Sequence, residues 1–198
     1  MQDSRDIGNR GGQSTDAVFH ECDAWRRRGQ YTDNLDYDRA MPSSSAGVEA
    51  RLAELGITLP PAPKPGGVYQ PVLLIGSFAY VSGHGPQRAD GTFIKGRLGA
   101  DLDVAGGRAA ARQTALSMLA SLRAALGSLD RLSRVVKLLG LVQATNDFQD
   151  HPAVINGCSE LLAELLGPDR GVGARSAVGM ASLPSGIAVE IEGIFEVV

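Results

Sequence analysis

The chain has 198 residues, 43% of them apolar and 21% charged, which is enough for one domain with a sizeable core and is the composition of an ordinary soluble protein. A net charge of −3 leaves no basic footprint and speaks against nucleic acid as the main partner. Two distant cysteines, Cys22 and Cys158, and three histidines, His20, His84 and His151, exclude a disulfide framework and give no metal-ligand cluster beyond the weak His20–Cys22 pair, so a reducing cytoplasm and no metal are expected.

The first residues, Met1 to Asp6, lack an apolar leader, and no apolar run reaches membrane-spanning length, so neither secretion nor a membrane is expected. Residues 1–47 mix Asp, Arg, Gly, Ser and Asn without an apolar period and read as a poorly ordered extension. Trp25 and Arg26 to Arg28 offer a small anion contact, offset by the acids around them, and Met41 is an alternative start that N-terminal sequencing of the native protein would test. The domain proper is expected over 48–198.

Val48, Leu52 and Leu55 share one helical face, with Gly56 as the stop. Prolines at 60, 61, 63 and 65 then make an extended connector. Val68 to Ile75, a turn at Gly76-Ser77 and Phe78 to Ser82 read as a hairpin, closed by a loop from Ser82 to Pro86 in which His84 is solvated. After a polar excursion with room for one short strand, a long amphipathic helix runs from Val104 to Leu126 and stops at Gly127. Val135 to Thr145 is apolar on both alternations, as in a central strand buried on both faces. Asp150 as N-cap and Pro152 in the first turn open a second helix, which carries Cys158 on its buried face and ends at Gly167-Pro168.

The last stretch alternates in two halves. Arg175, Ala177, Gly179 and Ala181 share one face of a strand, and Leu183 to Gly186 reads as a hairpin turn. In the following strand Val189, Ile191 and Phe195 oppose Glu190, Glu192 and Glu196. An arginine over small residues suits a compact carboxylate, and a glutamate on the next strand could orient water or move a proton. The competing reading is a surface Arg–Glu cross-strand pair without function. The element order, β-β-(β)-α-β-α-β-β, predicts an α+β two-layer sandwich: a mixed sheet with two helices on one face, the other face meeting water or another subunit.

Ala174-Arg175-Ser176-x-Val178, Leu183-Pro184 and Val189-Glu190-Ile191-Glu192-x-Ile194 resemble the closing signature of the YjgF/RidA family, also labelled endoribonuclease L-PSP or chorismate mutase-like. Tyr69, Gly76, Ser82-Gly83 and Pro86 resemble its first hairpin, and Asn146 to Asn156 its strand-to-helix junction with a few added residues. The resemblance implies a homotrimer with small-molecule sites between subunits and hydrolytic deamination of enamine and imine acids, such as 2-aminoacrylate and 2-iminobutyrate, to 2-keto acids, without a cofactor. It implies that Arg175 clamps the substrate carboxylate and Glu190 positions the water. Tyr69 would line the cleft from a neighbouring subunit, with Ser82, Gly83, Asn156 and Ala177 fixing the pose. Ala177 and Gly179 replace a Cys and a Glu found in many deaminase members, so a roomier pocket is expected at Gly179. A non-catalytic keto-acid-binding protein of the same fold, and an endoribonuclease, are the alternatives.

Overall fold

The structure, a computed structural model, describes residues 47–198. The expectations for the N-terminal extension, including Arg26 to Arg28, the His20–Cys22 pair and an alternative start at Met41, lie outside them.

Helix α1 (Val48–Glu54) buries Val48 and Leu52, as its spacing predicts. It is tied down by Glu49, whose carboxylate accepts from Arg123 and from the Leu129 backbone N–H. The proline connector leads to β1 (Val72–Ile75), which pairs antiparallel with β2 (Phe78–His84) across the turn at Gly76-Ser77. Two boundaries differ from expectation. The first strand begins only at Val72, which leaves Tyr69 on the connector, and the second continues through Ser82 and Gly83 to His84 by way of an irregularity in its pairing between Val81 and His84. The polar excursion contains only isolated bridges, such as Gln87 to Phe93.

Helix α2 (Val104–Leu126) starts where the Asp103 carboxylate accepts from Gly106 N–H at 2.8 Å, and it ends at Gly127. Strand β3 (Leu132–Gln143) follows, then α3 (His151–Leu166), a single turn α4 (Pro168–Gly171), β4 (Ala174–Met180) and β5 (Val189–Val197). Asp150 stands at the N-cap position of α3 but makes no side-chain cap hydrogen bond.

The sheet order is β1-β2-β5-β3-β4, with only β3 and β4 parallel. The expected hairpin between β4 and β5 therefore does not form: β3 lies between them, parallel to β4 and antiparallel to β5. Parallel neighbours need a crossover, and α3 supplies it, so β3-α3-β4 is a βαβ unit.

Both long helices lie on one face of the sheet. Ala79, Val81, Leu138, Val142, Ile191 and Phe195 meet Met118, Leu122, Ile155, Cys158 and Leu161 in one core cluster. Each such aliphatic or aromatic side chain contributes roughly 1.5–3 kcal/mol by leaving water. On the other face of β3, Val136, Leu139 and Leu141 are half-buried, so the two-sided burial expected of this strand is only half met within the chain. That open face also presents Phe78, Tyr80, Val178 and Met180, each at least 37% exposed. No helix among the described residues is long and apolar enough to cross a membrane.

Candidate functional site

Arg175 sits on β4 in register with Leu138, so its side chain emerges on the helix-covered face. There Nη1 donates to Asn156 Oδ1 at 2.8 Å and to Ser159 Oγ at 3.0 Å, and Nη2 reaches the Pro152 carbonyl at 3.4 Å. Asn156 and Ser159 are three residues apart on α3, one face of a helix, and both offer neutral oxygens. The guanidinium is thus oriented but has no carboxylate partner among the described residues, unlike Arg108, Arg112 and Arg123, which pair with Glu160, Glu164 and Glu49. Its Nε–H, together with an Nη2–H, remains to form the side-on fork that matches two carboxylate oxygens. Ala177, two residues on, packs against the core beside it and contributes no polar atom from its side chain.

Glu190 belongs to the opposite face. Its strand buries Val189 and Ile191 against the helices, while Glu190 is half-buried and Glu192 exposed on the open side. The carboxylate lies directly over Gly83: a Cβ at that position would collide with it. Gly83 stands at the irregular end of β2, and its missing side chain admits the glutamate. Burial raises the Glu190 pKa above the ordinary 4.5, and the charge of Glu192 raises it further. Tyr69, Gly83 and Glu190 line one cavity of about 220 Å³, walled by the proline connector and Ser185. Ser82 donates to the Gln70 carbonyl at 2.7 Å and lines, with Tyr69, a wider depression of about 680 Å³ across the open face, where Lys137 donates to Ser176.

The expected site residues thus fall into two groups within one chain. Tyr69, Ser82, Gly83 and Glu190 gather on the open face, while Arg175, Asn156 and Ala177 gather at β4 on the helix side. Arg175 and Glu190 are separated by β3, about 10 Å of sheet by strand spacing, and point to opposite faces. The surface Arg–Glu cross-strand pair is excluded by the same register. Ser159 is a partner that sequence reasoning missed, although its spacing from Asn156 was a usable signal.

Two histidines also depart from expectation. His84 is not solvated: it is 5% exposed, with Nδ1 2.6 Å from the Ser82 carbonyl and Nε2 2.8 Å from Ser121 Oγ. A carbonyl only accepts, so Nδ1 carries the proton and Nε2 accepts from the Ser121 hydroxyl. The neutral ring ties the irregular end of β2 to α2. Burial lowers its pKa below the ordinary 6.5, outweighing the opposing backbone hydrogen bond. The unfolded chain therefore takes up the proton first, and the contribution of His84 to stability is full above pH 6.5 and declines as pH falls toward the lower folded value. The urea midpoint of the wild-type chain is expected to fall more steeply between pH 7.5 and 5.5 than that of His84→Gln; parallel curves would contradict this assignment.

His151 fills the space expected to be open beside Gly179. A Cβ at 179 would stand 2.5 Å from His151 Nε2, and the ring is held edge-on by Phe148 at a centroid distance of 5.3 Å. Cys158, by contrast, is the buried core residue expected: desolvation pushes its thiol up to about 12, against a smaller opposing pull from Arg175. Among the described residues no group of three or more His, Cys, Asp or Glu side chains is placed to hold a metal.

Residues 49–184 match the family described as "YjgF/chorismate mutase-like, putative endoribonuclease". The chain belongs to the YjgF/RidA family. The match includes Arg175 and Ala177 and ends before Glu190. Among relatives, Protein TCP17 of Trypanosoma cruzi is 42% identical over 153 residues, which cover 77% of this chain and 96% of that protein. A crystal structure of an Agrobacterium tumefaciens protein of unknown function is 44% identical with a TM-score of 0.70, over 76% of this chain and 92% of the other. A "putative endoribonuclease" of Shewanella oneidensis is 30% identical with a TM-score of 0.73, over 77% of this chain and all of the other. The α+β fold with a mixed sheet is that of the YjgF/RidA family.

Proposed function

We propose that the chain hydrolyses small imine and enamine acids, such as 2-iminobutyrate and 2-aminoacrylate, to 2-keto acids and ammonia, at sites completed between chains of a homotrimer. The observation that carries the reading is Arg175: a partly buried guanidinium held by neutral oxygens, with an N–H fork free and no carboxylate to neutralise it among the described residues. Such a group binds a compact anion without first breaking an ion pair.

The chemistry asks for a carboxylate clamp and a held water. An enamine first takes a proton at its β-carbon to become the imine. Water then adds to the C=N carbon and loses a proton to Glu190 while the nitrogen gains one, giving a carbinolamine. Protonated again on nitrogen, it expels ammonia as its hydroxyl proton leaves and C=O forms. A carboxylate whose pKa is raised by burial is a better acceptor near neutrality than an ordinary glutamate. Since Arg175 and Glu190 occupy opposite faces of their own sheet, the reading assigns them to different subunits, the open face of one meeting the β4 edge of the next. The exposed apolar side chains Phe78, Tyr80, Val178 and Met180 are the surface such a contact would cover.

The assay is loss of 2-iminobutyrate generated in situ by a threonine dehydratase. Faster loss with the protein present, and formation of 2-oxobutyrate with ammonia, is the expected result; an unchanged rate rejects the activity. Endoribonuclease action, which the family description names, would be favoured only by RNA cleavage that survives Arg175→Ala in metal-free preparations.

A further inference from the structure

Arg175 has a neighbour that the deamination chemistry does not use. The Pro152 carbonyl that accepts from its Nη2 belongs to the residue after His151, so the guanidinium and the imidazole both stand at the first turn of α3. They share one face of β4, His151 lying against Gly179 and Arg175 starting four residues earlier. Among the described residues β4 pairs only with β3, so within one chain its other edge is open and this face is reachable from that side. Both residues are partly exposed.

The imidazole is positioned rather than loosely placed. Phe148 packs edge-on to it at an interplanar angle of 85°, and the absence of a side chain at Gly179 is what lets Nε2 approach the strand. Neither Arg175 nor His151 has a carboxylate within ion-pair distance among the described residues, whose ion pairs lie elsewhere. Two nitrogen-bearing side chains on one side of a strand, neither paired with a carboxylate among the described residues, are what a ligand with two acidic groups would need.

We propose that His151 determines specificity at the Arg175 site, favouring 2-imino and 2-oxo acids that carry a second carboxylate in the side chain. Arg175 takes the carboxylate next to the reacting carbon and His151 donates to the distal one. The proposal rests on Arg175 being the anion clamp and adds the class of side chain accepted. Gly179 belongs to the same device, because any larger residue there displaces the ring.

Calorimetric titration of the full chain with 2-oxobutyrate and with 2-oxoglutarate tests it. The wild-type protein should bind the dicarboxylic acid about tenfold more tightly, the lower end of what one hydrogen bond to a charged group contributes. His151→Phe should bring the ratio of the two dissociation constants to about one. His151→Gln, which keeps an N–H donor, should hold it between these values. Gly179→Ala should lower the ratio as well, by moving the ring. Equal affinities in the wild type, or a ratio untouched in His151→Phe, would overturn the proposal. Arg175→Ala should weaken both acids together. If the wild-type chain binds neither, the Arg175 clamp itself is wrong and this inference falls with it, whereas binding of both acids with equal strength rejects only the role of His151.

Discussion

Replacing Arg175 with alanine should lower kcat/KM for 2-iminobutyrate by about 100-fold or more, since a charge-assisted bidentate contact to the substrate carboxylate is lost. Folding should survive, because the guanidinium is only partly buried and its partners Asn156, Ser159 and the Pro152 carbonyl can turn to water. Arg175→Lys restores the charge but not the fork, so it should recover only part of the activity. The measurement is the steady-state rate of imine loss alongside the urea midpoint. An active Arg175→Ala variant would remove the clamp from the account.

Glu190→Gln should cut kcat by about 100-fold or more, the ordinary range for loss of a general base. The acid limb of the pH profile carries more information than the rate alone. As a general base Glu190 would work as the carboxylate, and burial followed by the Glu192 charge raises its pKa above 4.5. Activity should therefore fall, as pH drops, at a higher pH than an ordinary glutamate would give. Glu192→Gln removes the smaller of the two causes, so the limb should move toward lower pH without disappearing. Gly83→Ala should impair the same step, because its methyl group would displace the Glu190 carboxylate. A limb that does not respond to Glu192→Gln would assign the titration to another group.

How much of this was legible from residues alone differs from element to element. Helix α2 was readable end to end because the apolar stripe and the stop at Gly127 agree on it, while its Asp103 cap emerged only from the structure. The alternation of β4 and β5 was also readable; β5 buries the apolar face it predicts, whereas β4 turns Arg175 toward the helices and buries none of its residues fully. Their pairing was misread, because alternation fixes which face a residue occupies and says nothing about which strand lies alongside. Proximity in sequence suggested a hairpin, but α3 between β3 and β4 is the crossover that parallel neighbours require. The same limit hid the relation of Arg175 to Glu190, which depends on β3 coming between them. The partners of His84 were invisible for a different reason: one comes from α2, 37 residues on, and the irregular pairing at Gly83 breaks the local period. His151 was noticed only as part of an inserted stretch, since its seat against Gly179 depends on how α3 crosses β4.

The central claim is that Arg175 of one chain and Glu190 of another complete each site. Mixing the two inactive variants, Arg175→Ala and Glu190→Gln, by co-expression or joint refolding tests it most directly. If sites are shared between chains, equal mixing should restore about a quarter of them, because half of the subunits carry an intact Arg175 and half of their neighbours an intact Glu190. If each site draws both residues from one chain, every chain carries one lesion and no mixture gains activity. Differently tagged variants that purify together as mixed oligomers and remain inactive would contradict the account.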